Sequence, residues 1–418
     1  MKISYTPAAV AAFLAIMGLT FLPTLGSKGA LLFLTAGLIL GLTRPGEMLA
    51  MLRQEWLIMA MALWCLFSFL WSDYPAISLR HGIQLVLTVV IFIAICFRVA
   101  PLTFVKIILL SHFLVGLGSL ASGRTRADGG GFLGLFGSKN ALAAASAILI
   151  IVALAVTIDR RLNWYWRLLA LLGLVLGSVL LVMGKSAGAL VGVIGVILAF
   201  GLIVVLQRLA PIVRLVAITL GLVLMMAAGV LLSSMSDELS QAFLDATGKD
   251  MTLTGRTDLW MIAFREIAER PLLGAGFQAV WVPGNPLAEQ MWMQFGIKSR
   301  GGFNFHNSLI SNAVEIGLIG AAMQAVIFFT ALVSTLSWAI RSPSAASIFF
   351  ALFMVRQTMS MLIEVAFFTQ FSIDSGITVA AVFYAHRYRR ATGAVETRRP
   401  RAEPRPRDPR LALPIPDS

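Results

Sequence analysis

An all-α, polytopic membrane protein with about twelve transmembrane helices and one large external loop is the fold class this sequence predicts. Three observations carry it. Of 418 residues, 58% are hydrophobic and only 13% charged, with a mean hydropathy of +0.87; a soluble domain with so few charges would aggregate. Apolar runs of span length recur along the chain. Lys and Arg gather at one alternate set of run ends and in the C-terminal tail, the positive-inside pattern. That placement argues against nucleic acid as a partner, which a formal net charge of +13 would suggest in a soluble protein.

At roughly 20 apolar residues per helix, fewer where the ends snorkel, the spans fall near 8–25, 29–43, 56–71, 82–97, 102–120, 140–158, 166–183, 187–206, 212–232, 306–338, 345–367 and 373–387. Little more than a turn, Gly26-Ser27-Lys28-Gly29, separates the first two. Lys2 before an apolar run imitates a signal peptide, but the spans that follow point to an uncleaved first helix. The inside connections then hold Arg44 and Arg53, Arg98 and Lys106, Arg160, Arg161 and Arg167, Arg208 and Arg214, and Arg341. Both termini are expected in the cytoplasm, and the loop between spans 9 and 10 outside.

The chain therefore divides into four blocks: spans 1–9 over 1–232, an external loop over 233–305, spans 10–12 over 306–388, and a basic cytoplasmic tail over 389–418. Nine arginines lie between Arg387 and Arg410. From Val395 the tail is so rich in Pro and Arg that it cannot bury a core, and it is expected to be disordered. It either fixes topology or attracts anionic lipid head groups.

Inside the loop, Ser236 to Thr247 is a candidate short helix and Thr254 to Glu269 a better one. In the second, Leu259, Trp260, Ala263, Phe264 and Ile267 recur at helical spacing and Pro271 stops the run. Arg256, Asp258, Arg265, Glu266 and Glu269 fall on its other side, so it is expected to lie amphipathically on the membrane surface. Pro283 to Gly302 reads as irregular.

Chemistry is looked for where descending spans begin. Span 6 starts after Gly-Phe-Leu-Gly-Leu-Phe-Gly with Ser138, Lys139 and Asn140; span 8 with Lys185 and Ser186; span 10 with His306 and Asn307. Helix N-termini carry free N–H groups and partial positive charge, which favour phosphate. The same residues also serve as caps and interfacial anchors. A transfer from a glycosyl diphosphate needs cations where the leaving group gathers charge and a base for the acceptor hydroxyl. Arg256 is the candidate diphosphate clamp and His306 the candidate base. Lys139, Asn140, Lys185, Arg265 and Asn307 are candidate substrate contacts.

Cys65 and Cys96 lie in apolar runs and His81, His112, His306 and His386 are scattered, so neither a disulfide framework nor a metal site is expected. Glu315 and Arg356 are the unexpected charges inside spans. Glu315 lies nine residues beyond His306, about 13 Å along a helix, and Arg356 is expected to reach a similar depth and pair with it, since an unpaired charge there is costly.

The elements R-T-D-L-W, R-P-L-L-G-A-G-F, H-N-S-L and E-I-G-L-I-G, from Gly255 to Gly320, resemble the shared core of the O-antigen ligase and polymerase superfamily. F-G-S-K-N (Phe136 to Asn140) resembles its bacterial exopolysaccharide polymerase branch. The resemblance implies a metal-independent, inverting, GT-C-like glycosyltransferase of the inner membrane that needs no cofactor. Its substrates would be glycans on undecaprenyl diphosphate, and its partners membrane lipids and chain-length-regulating or export proteins. It implies His306 as base and Arg256 on the diphosphate, with Lys185 where members often carry Arg. Polymerase and ligase remain open. A lipid-linked glycan transporter is the third reading; internal repeats and discontinuous spans, expected of transporters, are not evident in the sequence.

Overall fold

The structure is a computed structural model that describes residues 6–127, 129–221, 256–300, 303–365 and 368–398. Among them a lone bridge between Thr125 and Phe132 is the sole β pairing. Among the described residues, ten helices of at least ten residues precede the loop: α1 (Pro7–Thr20), α2 (Ser27–Leu42), α3 (Pro45–Gln54), α4 (Trp56–Phe67), α5 (Pro75–Arg98), α6 (Pro101–Ser122), α7 (Lys139–Ile158), α8 (Trp164–Met183), α9 (Ala187–Arg208) and α10 (Pro211–Gly221). The loop holds α11 (Arg256–Glu269) and α12 (Pro286–Gln294). After it come α13 (Ser308–Arg341), α14 (Ala345–Met361) and α15 (Ile373–Arg398).

Each of the twelve expected spans falls on one of these helices, although the ninth is described only as far as Gly221. Among the described residues six helices, α5 to α9 and α13, are long and apolar enough to cross a membrane alone. The pair α2 and α3 would make a seventh, but it is bent by 101°. The chain is a multi-pass membrane protein.

α14 sits at the centre, against α6, α7, α9, α13 and α15. From Ala345 to Met354 every residue is buried on all sides, as an apolar helix without a polar face must be. Phe350 meets Phe104, Trp338, Phe349 and Tyr384 there. At the periphery α8 and α9 leave apolar side chains such as Val182 and Leu198 exposed, which suits lipid. Trp164 and Tyr165 open α8 beside Arg160 and Arg161, and Lys106 lies 5.1 Å from the Trp166 ring centre. Aromatic residues with basic neighbours mark a membrane interface.

The structure departs from expectation in four places. The stretch read as irregular contains α12, because Asn285 accepts from the Leu287 and Ala288 amides and Pro286 is preset for the first turn. The last helix runs on through Arg398, past the span end expected near 387; the rest of the tail lies outside the described residues, as does the helix expected over 236–247. In α11, Leu259 and Ala263 pack on Val280, Met291, Phe305 and Val314, a small core of the loop itself. Met261 and Phe264 face outward instead. The fourth departure is a break in α13.

At Gly317 the backbone leaves helical geometry (φ 68°, ψ 176°). A continuous α13 of 34 residues would run about 51 Å, far beyond a bilayer core of about 30 Å. The stretch from Leu318 to Arg341, about 36 Å, crosses by itself. The loop segment Arg270 to Phe277 lies against the break and takes up its orphaned groups. The Leu318 amide donates to the Pro271 carbonyl at 2.8 Å, and the Ala275 and Gly276 amides donate to the Val314 and Glu315 carbonyls at 2.9 and 2.7 Å. The Trp64 indole takes the Ile316 carbonyl and Trp71 that of Leu273. Ser68 and Ser78 hold the peptide groups of buried Phe277. A discontinuous span therefore exists here, filled by the protein's own chain.

The break also explains why Glu315 and Arg356 do not pair. Glu315 precedes it and is covered by the returning segment, so its carboxylate accepts from the Gln278 amide at 2.9 Å. Arg356, buried near the end of α14, pairs with Asp374 in the first turn of α15 and donates to Gln357. Replacing Asp374 by Ala strands a buried guanidinium and is expected to cost about 3–5 kcal/mol. A melt of the purified protein in detergent checks this. The double change Arg356→Met with Asp374→Leu should recover most of the loss, and a wild-type melting temperature for Asp374→Ala would refute the pairing.

Candidate active site at three helix N-termini

The heads of α7, α9 and α13 come together. Gly131 and Phe132 lie on the turn between α8 and α9, where the Phe132 amide donates to the Met183 carbonyl at 3.0 Å. At Gly131 (φ 139°) a Cβ would stand 2.7 Å from the Gly184 carbonyl oxygen, so glycine permits the approach. Ser138 caps α7 through the Ala141 amide at 3.1 Å. Ser186, at the head of α9, makes no cap of its own. Its hydroxyl donates to Asn140 Oδ1 across the gap at 3.1 Å, leaving the first amides of α9 without a side-chain acceptor.

From Asn140 the connection continues to the third helix. Asn140 Nδ2 donates to Glu364 Oε1 at 3.0 Å, and Glu364 Oε2 lies 3.6 Å from His306 Nδ1. Ser308 Oγ donates to the Glu364 carbonyl at 2.8 Å, tying the head of α13 to the same residue. Ser186, Asn140, Glu364 and His306 thus form one polar line across three helix ends.

His306 is placed by its neighbours. Its φ of 50° is left-handed, uncommon for a residue with a Cβ. The strain is held by its amide donating to Asn304 Oδ1 at 2.7 Å and by Phe303 against the ring at 6.0 Å. Trp260, from R-T-D-L-W, donates to the carbonyl of Phe305 at 2.8 Å. Arg256 begins α11 one turn before Trp260; its side chain falls outside what the structure describes.

The remaining candidates divide. Lys139 is half-buried and Nζ reaches the Gly130 carbonyl at 3.4 Å. Lys185 is exposed at the turn before α9 with a φ of 49°. Asn307 commits its side-chain oxygen to capping α13, accepting from Leu309 and Ile310 at 3.0 and 3.1 Å. Arg265 is exposed on α11, beside Glu266, whose carboxyl is pushed above its usual range by burial first and the Glu269 charge next. An open cleft of about 570 Å³ lies elsewhere, between Trp71, Asp73 and the Arg270–Gly274 turn. The Arg270–Asp73 ion pair lining it is exposed and worth little.

Glu364 is the residue that reading the sequence missed. It looked like the tail of an apolar span over 345–367, but α14 ends at Met361, which makes Glu364 a residue of the connection to α15. A carboxylate at the end of an apolar run was the available signal. Among the described residues no group of His, Cys, Asp and Glu is arranged to hold a metal.

Residues 172–325 match the family model described as O-antigen ligase. Over 281 residues the chain is 32% identical to the exopolysaccharide production protein ExoQ of Rhizobium meliloti (strain 1021). That match takes in 66% of this chain and 63% of the relative's length. The family match includes His306, Asn307 and the Gly317 break.

Proposed function

We infer from the matched O-antigen ligase model and the likeness to ExoQ that this chain is a member of the O-antigen ligase-like superfamily, in its exopolysaccharide branch, and that it polymerises lipid-linked oligosaccharide repeat units at the outer face of a bacterial inner membrane. In this reading the chain has twelve spans, both termini are cytoplasmic, and α11, α12 and the three helix heads face outward. The donor is a glycan on undecaprenyl diphosphate and the acceptor a sugar hydroxyl of a second lipid-linked unit.

His306 takes the proton of that hydroxyl as its oxygen forms a bond to the anomeric carbon of the donor. The bond from that carbon to the diphosphate breaks, and the diphosphate departs with the electron pair. Attack opposite the leaving group inverts the anomeric centre. Arg256, Lys139 and Lys185, with the open amides of α9, neutralise the charge that gathers on the diphosphate. No metal is required in this reading, since fixed cations meet the leaving group.

The observation that carries the proposal is the convergence of His306 with the heads of α7 and α9 through Glu364 and Asn140. It supports the reading because Lys139 and Lys185 stand at the same two helix heads, and α9 has no side-chain cap. A ligase acting by the same chemistry is the second reading, favoured by the family description. Deleting the gene and sizing the glycan separates the readings. Single repeat units left on the carrier are expected; long carrier-linked chains would mean a ligase, and units trapped inside would mean transport.

A further inference from the structure

We propose that Glu364 is the positioning residue that fixes the tautomer and orientation of His306, an inference that rests on His306 being the base. His306 Nδ1 is buried and makes no hydrogen bond. Glu364 Oε2 lies 3.6 Å from it, and a shift of about half an ångström completes an Nδ1–H···Oε2 bond. Nδ1 is then the protonated nitrogen, and Nε2 carries the lone pair that accepts the hydroxyl proton. The same carboxylate faces the imidazolium as it forms. Catalytic hydrogen bonds commonly tighten only when substrate is bound.

The carboxylate is well placed for this role. Oε1 is occupied by Asn140 Nδ2, and a flip of that amide would set its carbonyl oxygen against the carboxylate, so Oε2 is the oxygen left for the imidazole. Ser308 holds the Glu364 backbone, and Ser308 stands two residues from His306. Two pinned anchors thus control one side-chain contact. Base and carboxylate come from separate elements, the loop entering α13 and the connection leaving α14. Among the described residues, the heads of α7 and α9 carry Lys139 and Lys185, and Glu364 brings a carboxylate to them through Asn140.

The test uses the full-length protein in detergent and, as donor and acceptor, the undecaprenyl-diphosphate-linked repeat unit extracted from a deletion strain. Glu364→Gln keeps the Asn140 contact in size and removes the charge; kcat is expected to fall about 100-fold with KM little changed. The carboxylate favours the charged imidazole, so without it the acid limb of the kcat profile should move to lower pH. Glu364→Asp should restore part of kcat and return the limb towards wild type. A merely structural role would lower yield or melting temperature and leave the limb in place, and that outcome overturns the proposal. So does wild-type kcat in Glu364→Gln. If His306→Ala itself keeps full activity, the base assignment fails instead, which the two variants tell apart.

Discussion

Replacing His306 by Ala is expected to lower transfer by about 10²- to 10⁴-fold, the usual contribution of a positioned general base, without unfolding the protein. The side chain lies at a helix head and is a quarter exposed, and the one hydrogen bond His306 makes through its amide survives the change. The loop core of Leu259, Ala263, Val280, Met291, Phe305 and Val314 does not include it. Initial rates on the extracted lipid-linked repeat unit, beside a melt, give the answer. An Ala variant as fast as wild type would remove His306 from the chemistry. A slow variant that also melts early would assign it to the structure instead.

The second large effect is structural. Gly317→Ala is expected to destabilise the protein by about 3–6 kcal/mol, combining a backbone region open essentially to glycine with an overpacked contact. A Cβ there would stand 2.0 Å from the Leu272 carbonyl oxygen, 2.3 Å from its carbon and 2.5 Å from the Leu273 nitrogen. All three are backbone atoms of the segment that fills the break, so no side chain can swing aside. Gly46→Ala is the control, since a Cβ at Gly46 meets nothing within 4 Å. Activity should fall with stability, because the displaced segment holds α13 just beyond His306. A Gly317→Ala protein that melts with wild type would show that the two backbones are not in contact.

These two residues sit in motifs that a reader of the sequence treats alike, yet they do different things. E-I-G-L-I-G and R-P-L-L-G-A-G-F fit each other, with Gly317 and Gly274 allowing two backbones to touch. Trp260 of R-T-D-L-W supports the residue before the histidine. Within the motifs, candidate chemistry is confined to His306 of H-N-S-L, the Arg256 that opens R-T-D-L-W and Lys139 of F-G-S-K-N, while Asn307 of H-N-S-L is a cap. Recurrent motifs in this chain are thus largely the means of assembling a loop against a broken helix.

Glu364 and Asp374 mark the limit of linear reading. Each stands near the end of an apolar run, where a charge is ordinarily solvated, so the linear pattern singles out neither. Arg356 and Glu315 stand out in the sequence, and depth alone matches them to each other. Depth along a helix assumes that the helix is continuous, and Gly317 breaks that assumption.

What the sequence determined by itself was the class and the helices at the expected spans, and it named three helix heads with His306 as candidates. These follow from hydropathy, charge placement and capping, which act within a few residues of one another. Tertiary structure decided which heads meet, which carboxylate faces His306, and where each buried charge finds its counter-ion. Those choices depend on contacts between residues far apart in the chain, such as Asn140 with Glu364 and Trp64 with Ile316. A buried polar group must find a partner wherever the fold supplies one, and the local pattern does not name it.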